Sequence, residues 1–234
     1  MTMKIALFSG TAYRHIYYAN EIIQSGNVVL HVREVRTNNL IEETNVSYSE
    51  ADTRLLQAHS DMRLKKEREY FLPKGGIFLC VENTIEVDRR ELNAPKVLNA
   101  VKNLAPDVVV VYGTSLIKRA LLSVMPKYVI NLHAGLSPYY RGAATLYWPI
   151  YFMEPQNLGY TFHLIDLKID HGDILHQNKP EILADDGMHD LGCKTIMAAA
   201  RDMKELLKKI EDGTVQSKCQ TSAGKIFYEA DFKP

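Results

Sequence analysis

The sequence predicts an α/β fold: a mainly parallel sheet with helices on both faces and a short C-terminal extension. Three observations lead there. The first 35 residues read as strand, helix and strand; residues 107–112 hold four consecutive valines, a β-branched run of the kind buried on both faces of a parallel sheet; and a helical period is sustained over residues 188–211.

In chain order, residues 3–9 are β-like, and Ser9, Gly10 and Thr11 break the pattern. Over residues 13–24, Ile16, Ala19, Ile22 and Ile23 fall at helical spacing, and Ser25, Gly26 and Asn27 end that helix. Residues 28–35 return to β-branched character, completing a βαβ unit. Residues 49–70 are polar and rich in helix formers, with Leu55, Leu56, Met62 and Leu64 as sparse apolar positions. Beyond a Pro-Lys-Gly-Gly turn, the pattern predicts a strand over 77–81, a helix over 94–104, the central strand over 107–112, a helix over 118–124 and a strand over 128–132. A strand over 160–166 and the long helix over 188–211, closed by Gly213, complete the reading. One domain is expected over residues 1–212, with residues 213–234 packing on it or adding an edge strand.

Composition narrows the function classes. Of 234 residues, 46% are apolar and 24% charged, and no apolar run approaches the length of a membrane span. The apolar stretch after Lys4 is too short for a signal peptide, so the expected location is cytoplasmic, away from membranes. With 28 basic and 28 acidic residues, the chain lacks the basic excess of a dedicated nucleic-acid binder. Cys80, Cys193 and Cys219 are odd in number and widely spaced, which gives neither a disulfide framework nor a metal-ligand pattern; no metal is expected.

The informative segment is Asn131-Leu-His133, where two polar side chains alternate with apolar ones as a buried strand ends. Period two sends both to the same side, and ligands of open α/β sheets bind at the carboxyl ends of strands. Acidic residues flank a turn downstream, at Asp166, Asp170 and Asp173. Singly, each has a plain structural reading: Asn131 as a turn cap, His133 as a satisfied core histidine, Asp170 with Gly172 as turn chemistry.

As a set they carry more. Asn131-x-His133, then Pro138-x-x-Arg141-Gly142, then Gly159-x-Thr161-x-His163, then Asp170-x-Gly172-Asp173-Ile174 resembles the N10-formyltetrahydrofolate-dependent formyltransferases in order and spacing. The resemblance implies a Rossmann-like domain, N10-formyltetrahydrofolate as co-substrate, and Asn131, His133 and Asp170 as the catalytic trio. The chemistry agrees with that assignment. An amine attacking a formyl carbon builds an oxyanion, which an Asn131 N–H and a His133 imidazolium can stabilise, while Asp170 orients His133, favours its charged form and helps move a proton. No side-chain nucleophile is required. By the same resemblance, Ser115, Leu116 and Ile117 in one loop and Ile165, Asp166 and Ile169 in another hold the folate.

For the amine, Pro138-Tyr139-Tyr140-Arg141-Gly142 resembles the sugar N-formyltransferases, which implies a small-molecule nucleotide-linked amino sugar as partner and no nucleic acid; a homodimer is compatible. Arg141-Gly142-Ala143-Ala144 also resembles the methionyl-tRNA enzymes, and glycinamide ribonucleotide formyltransferase is a third reading. A non-catalytic ligand-binding module on the same fold is a fourth. The nucleotide-sugar site is expected where the first strand ends, at Thr11, Arg14 and His15, facing Tyr139, Tyr140 and Arg141, with Arg14 and Arg141 gripping phosphate. His59, Arg63 and Glu67, spaced i, i+4, i+8, share one helix face. A solvated face is the commoner meaning of such spacing; contact with the nucleotide or sugar is the alternative.

Overall fold

A computed structural model describes residues 2–35, 49–222 and 224–233. Its centre is a seven-stranded sheet in the order β3-β2-β1-β4-β5-β7-β8. The strands are β1 (Lys4–Ser9), β2 (Asn27–Glu34), β3 (Thr84–Val87), β4 (Val108–Tyr112), β5 (Tyr128–His133), β7 (Tyr160–Leu164) and β8 (Ile174–Asn178). From β3 to β5 all neighbours are parallel, whereas β7 runs antiparallel to β5 and β8 antiparallel to β7. A separate parallel pair joins β6 (Tyr140–Gly142) to β9 (Lys225–Phe227).

Alternation along the strands builds two apolar layers. Leu7, Val110 and Ile130 face helices α1 (Tyr13–Ile23), α2 (Glu50–Phe71) and α6 (Met188–Glu211) through Tyr18, Phe71 and Ile196. Phe8, Val109 and Val129 face α3 (Pro95–Leu104) and α4 (Arg119–Leu122) through Val97, Val101 and Leu121. The run of valines at β4 is buried along its whole length, as a strand covered on both faces requires.

The helices form for local reasons. Ser49 caps α2 by accepting from the Asp52 N–H at 3.1 Å, with Glu50 and Asp52 in the first turn. Of its 22 residues only Glu67 and Phe71 are buried, so α2 touches the body along a narrow line. Pro95 opens α3, which buries Val97 and Val101 one turn apart. In α1 no side chain of the preceding residue caps the helix; instead the Ala12 N–H donates to His15 Nδ1 at 3.3 Å.

Two sequence expectations need correction. The strand predicted over residues 77–81 is absent there and β3 lies at Thr84–Val87 instead. The Asn20 side chain donates to the Ile77 carbonyl and accepts from the Leu79 N–H, both at 2.8 Å, and Arg33 donates to the Leu79 carbonyl. Side chains thus take the bonds a neighbouring strand would offer. The helix predicted over 118–124 shortens to the single turn of α4. In the tail, Lys218 bridges Ile174 on the β8 edge, and β9 pairs with β6 rather than the main sheet. There Phe227 stacks on Trp148 of α5 (Trp148–Tyr151) with ring centroids 4.5 Å apart. Among the described residues, no helix is long and apolar enough to cross a membrane.

Candidate active site

Strand β5 delivers Asn131 and His133 at its carboxyl end, on the face that carries Val129. The antiparallel register then sets His163 of β7 opposite Asn131 and Thr161 opposite His133. Asp170 enters from the turn that follows β7. Its φ of 44° lies in the left-handed region, and the turn is pinned by Gly172, where an added Cβ would sit 1.8 Å from the Leu164 carbonyl oxygen. Turn chemistry and site chemistry therefore coincide at Asp170.

These side chains meet. His133 Nδ1 lies 3.3 Å from Asp170 Oδ2, and His163 Nε2 lies 3.2 Å from Asp170 Oδ1. Asn131 Nδ2 is 3.4 Å from Asp170 Oδ1 and 3.2 Å from His163 Nε2. The Gly142 N–H donates to Asp170 Oδ2 at 2.8 Å, and the second ring nitrogen of His133 sits 2.7 Å from the Tyr140 carbonyl. Burial alone would raise the Asp170 carboxyl, but His133, His163 and the Gly142 N–H outweigh it and hold the group well below the usual carboxylate range. Burial lowers the His133 imidazole, against the opposing pull of Asp170. The expectation that Asp170 favours a charged His133 thus holds for the pull but not for the balance, because His133 is only 5% exposed.

Chemically, this is an amide donor beside a buried His–Asp pair at a strand end. Residues 18–206 match the formyl transferase family model. The chain belongs to this family. It is 34% identical over 140 residues to a methionyl-tRNA formyltransferase of Acetivibrio thermocellus, a match covering 58% of this chain and 44% of that protein. The chain thus spans less than half the length of that relative. Among solved structures, a 4-N formyltransferase from Francisella tularensis aligns with a TM-score of 0.64 at 19% identity, over 98% of this chain and 78% of the other. The formyltransferase PseJ from Anoxybacillus kamchatkensis, in complex with UDP-4,6-dideoxy-4-formamido-L-AltNAc and tetrahydrofolate, aligns with a TM-score of 0.51 at 19% identity, over 70% and 80%. At such identities these likenesses concern the fold.

Within this formyl transferase fold the two predicted folate loops lie on the α3/α4 side. Ile117 belongs to that apolar layer and Ile165 packs against it, while the Ile165 N–H donates to the Val129 carbonyl at 2.8 Å. Glu34, fully buried, holds the Ser115 N–H at 2.8 Å and its hydroxyl at 2.9 Å. Leu116 is 70% exposed at the loop tip. Asp166 accepts from the Lys168 N–H and pairs with His171, and Ile169 is half-buried beside Asp170.

On the opposite face a cavity of about 400 Å³ opens between α2, the start of α6 and the loop after β5. Ala134, next to His133, forms part of its wall, as do Ala143, Ala144 and Thr145. Of the six residues expected to meet the amine substrate, Arg14 alone lines it. Thr11 stays in the β1–α1 loop. His15 is buried against Tyr112, wedged where a Cβ at Gly10 or Gly113 would collide with its ring. Tyr139 is exposed, and Tyr140 is buried with its hydroxyl on Glu154. Arg141 corrects the expectation most clearly: 3% exposed, it donates to the Gln220 side chain and the Ser222 carbonyl, both at 2.9 Å. It anchors the tail, and no sequence period told where the tail would dock.

Two contributors, His163 and Gln220, escaped the sequence reading, and a third was weighed there with the other emphasis. His163 stood in the motif without a role. Gln220 donates to the Asp170 and Gly172 carbonyls at 2.9 and 2.7 Å, tying the tail to the site. The face of His59, Arg63 and Glu67, for which solvation was the commoner meaning, lines the cavity with all three side chains.

Proposed function

We propose that the protein transfers the formyl group of N10-formyltetrahydrofolate to the amine of a nucleotide-linked amino sugar, in cytoplasmic synthesis of precursors for cell-surface polysaccharide. The observation that supports this best is the convergence of Asn131, His133 and Asp170 at the carboxyl end of β5, with the cavity on one face of the sheet and the folate-type loops on the other. Donor and amine then approach the same strand end from opposite sides. The amine nitrogen attacks the formyl carbon directly, and the oxyanion forms within reach of the Asn131 amide. The nitrogen sheds a proton to the His133–Asp170 pair, and the departing folate nitrogen gains one, which balances the exchange without a covalent enzyme intermediate. Residues 1–212 form the catalytic domain in this reading, with the tail as its brace.

A methionyl-tRNA substrate is the second reading, favoured by the name of the curated relative. Formyl transfer from N10-formyltetrahydrofolate is therefore measured against a panel of nucleotide-linked amino sugars and against methionyl-tRNA. Turnover of an amino sugar is the expected result; turnover of methionyl-tRNA alone overturns the reading.

A further inference from the structure

The cavity beside α2 holds an uneven set of charges. Arg14 is committed: its guanidinium pairs with Glu67, which is only 4% exposed. Arg63, one turn before Glu67 on the same face, is half-buried and, among the described residues, has no carboxylate within ion-pair distance. His59, a further turn back, lies 4.7 Å from His189 of α6, ring centre to ring centre. Burial first, then His189 and Arg63, lower His59 to about 4, and burial and Arg63 lower His189 also. Two imidazoles and the Arg63 guanidinium are thus gathered on one wall, where the guanidinium discourages charge on both rings. The carboxylates that face them relieve this only in part: burial and Arg63 still outweigh the pull of Asp190 and Glu67 on His189. Glu67 is taken by Arg14, Asp190 is held by Lys66 and Tyr70, and Glu229 belongs to the tail.

Such a cluster is unfavourable when empty and favourable around an anion with several acceptor oxygens. The cavity lies on the Ala134 side of the strand end that carries His133, so an anion held at α2 places the remainder of its molecule toward the site. Phe232 packs against His59 and Tyr147, with ring centroids 5.2 and 4.9 Å apart, and gives the outer wall an aromatic surface for an attached ring.

We infer that this cavity binds the diphosphate of the amine substrate, with Arg63, His59 and His189 as the donors, in place of the Arg14–Arg141 grip that the sequence led one to expect. The inference rests on the nucleotide-sugar reading above. Calorimetric titration with UDP, dTDP and inorganic pyrophosphate, on the wild type, Arg63→Ala and His59→Gln, tests it. Affinity for the nucleoside diphosphates falls about 10- to 100-fold in Arg63→Ala and about 3- to 10-fold in His59→Gln, while tetrahydrofolate binding stays unchanged. Both side chains lie on a largely exposed helix, and equal tetrahydrofolate affinity certifies that the variants are folded. Absence of binding in the wild type, or wild-type affinity in both variants, overturns the inference. Formyl transfer by the same proteins separates the two ideas. If the wild type formylates a nucleotide-linked amino sugar and Arg63→Ala leaves its KM unchanged, the function stands and this site falls. If diphosphates bind through Arg63 but no such sugar is formylated, the anion site stands and the sugar reading falls.

Discussion

On the α3/α4 face, Val109 and Val129 meet Val97, Val101 and Leu121 in one apolar layer. On the α1/α2/α6 face the middle is packed as well, around Val110, Ile130 and Tyr18, but beyond Tyr112 and Ala134 the layer parts into a cavity of about 400 Å³. The same strands supply both faces, so the difference comes from the covering helices. Helix α3 brings an apolar stripe one turn apart, whereas α2 buries only Glu67 and Phe71 and turns His59, Arg63 and Glu67 inward. A helix with too few apolar side chains to fill its share of the interior leaves room, and the room is lined with charge.

The largest expected effect tests what lies between the faces. Asn131→Ala lowers kcat by about 10²–10³-fold with little change in substrate affinity, because the lost donor acts on the developing oxyanion. Steady-state kinetics with saturating folate donor measures this, and a KM effect without a kcat effect would move Asn131 to substrate binding.

Packing comes next. Leu121→Ala, on the α3/α4 face, costs about 4 kcal/mol of unfolding free energy, while Ile196→Ala, buried but bordering the cavity, costs about 2 kcal/mol, since a side chain beside a cavity has fewer contacts to lose. Urea unfolding of both variants gives the comparison. Equal costs would mean that the two faces are equally filled.

The third test uses pH. Burial, reinforced by Arg33, lowers the fully buried His31 imidazole to about 3. Its ring is held neutral by the Ser9 hydroxyl at 2.9 Å and by donation from Arg33 Nε at 3.3 Å. Below about pH 6.5 the unfolded chain takes up a proton that the folded chain refuses, so stability is full above that pH and declines in acid by ~1.4 kcal/mol per pH unit for this group. His31→Gln therefore flattens the dependence of unfolding free energy between pH 6.5 and about pH 4. An unchanged slope would show that other groups carry the acid sensitivity.

The smallest effect concerns the folate side. Ser115→Ala removes the hydroxyl bond to Glu34 and leaves the backbone bond, which raises KM for the formyl donor by about fivefold, ~1 kcal/mol, with kcat and amine KM unchanged. A matching change in amine KM would mean that the loop serves both faces.

By itself the sequence determined the strands with a clean period, β1, β2, β4 and β5, and with them the parallel sheet, because alternation and β-branching are local properties. It also placed Asn131 and His133 on one side of a strand end, since period two is a matter of counting. The tertiary structure alone decided what surrounds them. That β7 runs antiparallel to β5, setting His163 against Asn131, depends on a pairing between strands about thirty residues apart. That Arg141 is spent on Gln220 and Ser222 while Arg63 faces a cavity depends on where a tail and a polar helix dock. Spacing says which residues share a face; only packing against the rest of the chain says whether that face meets water, a partner or an open pocket.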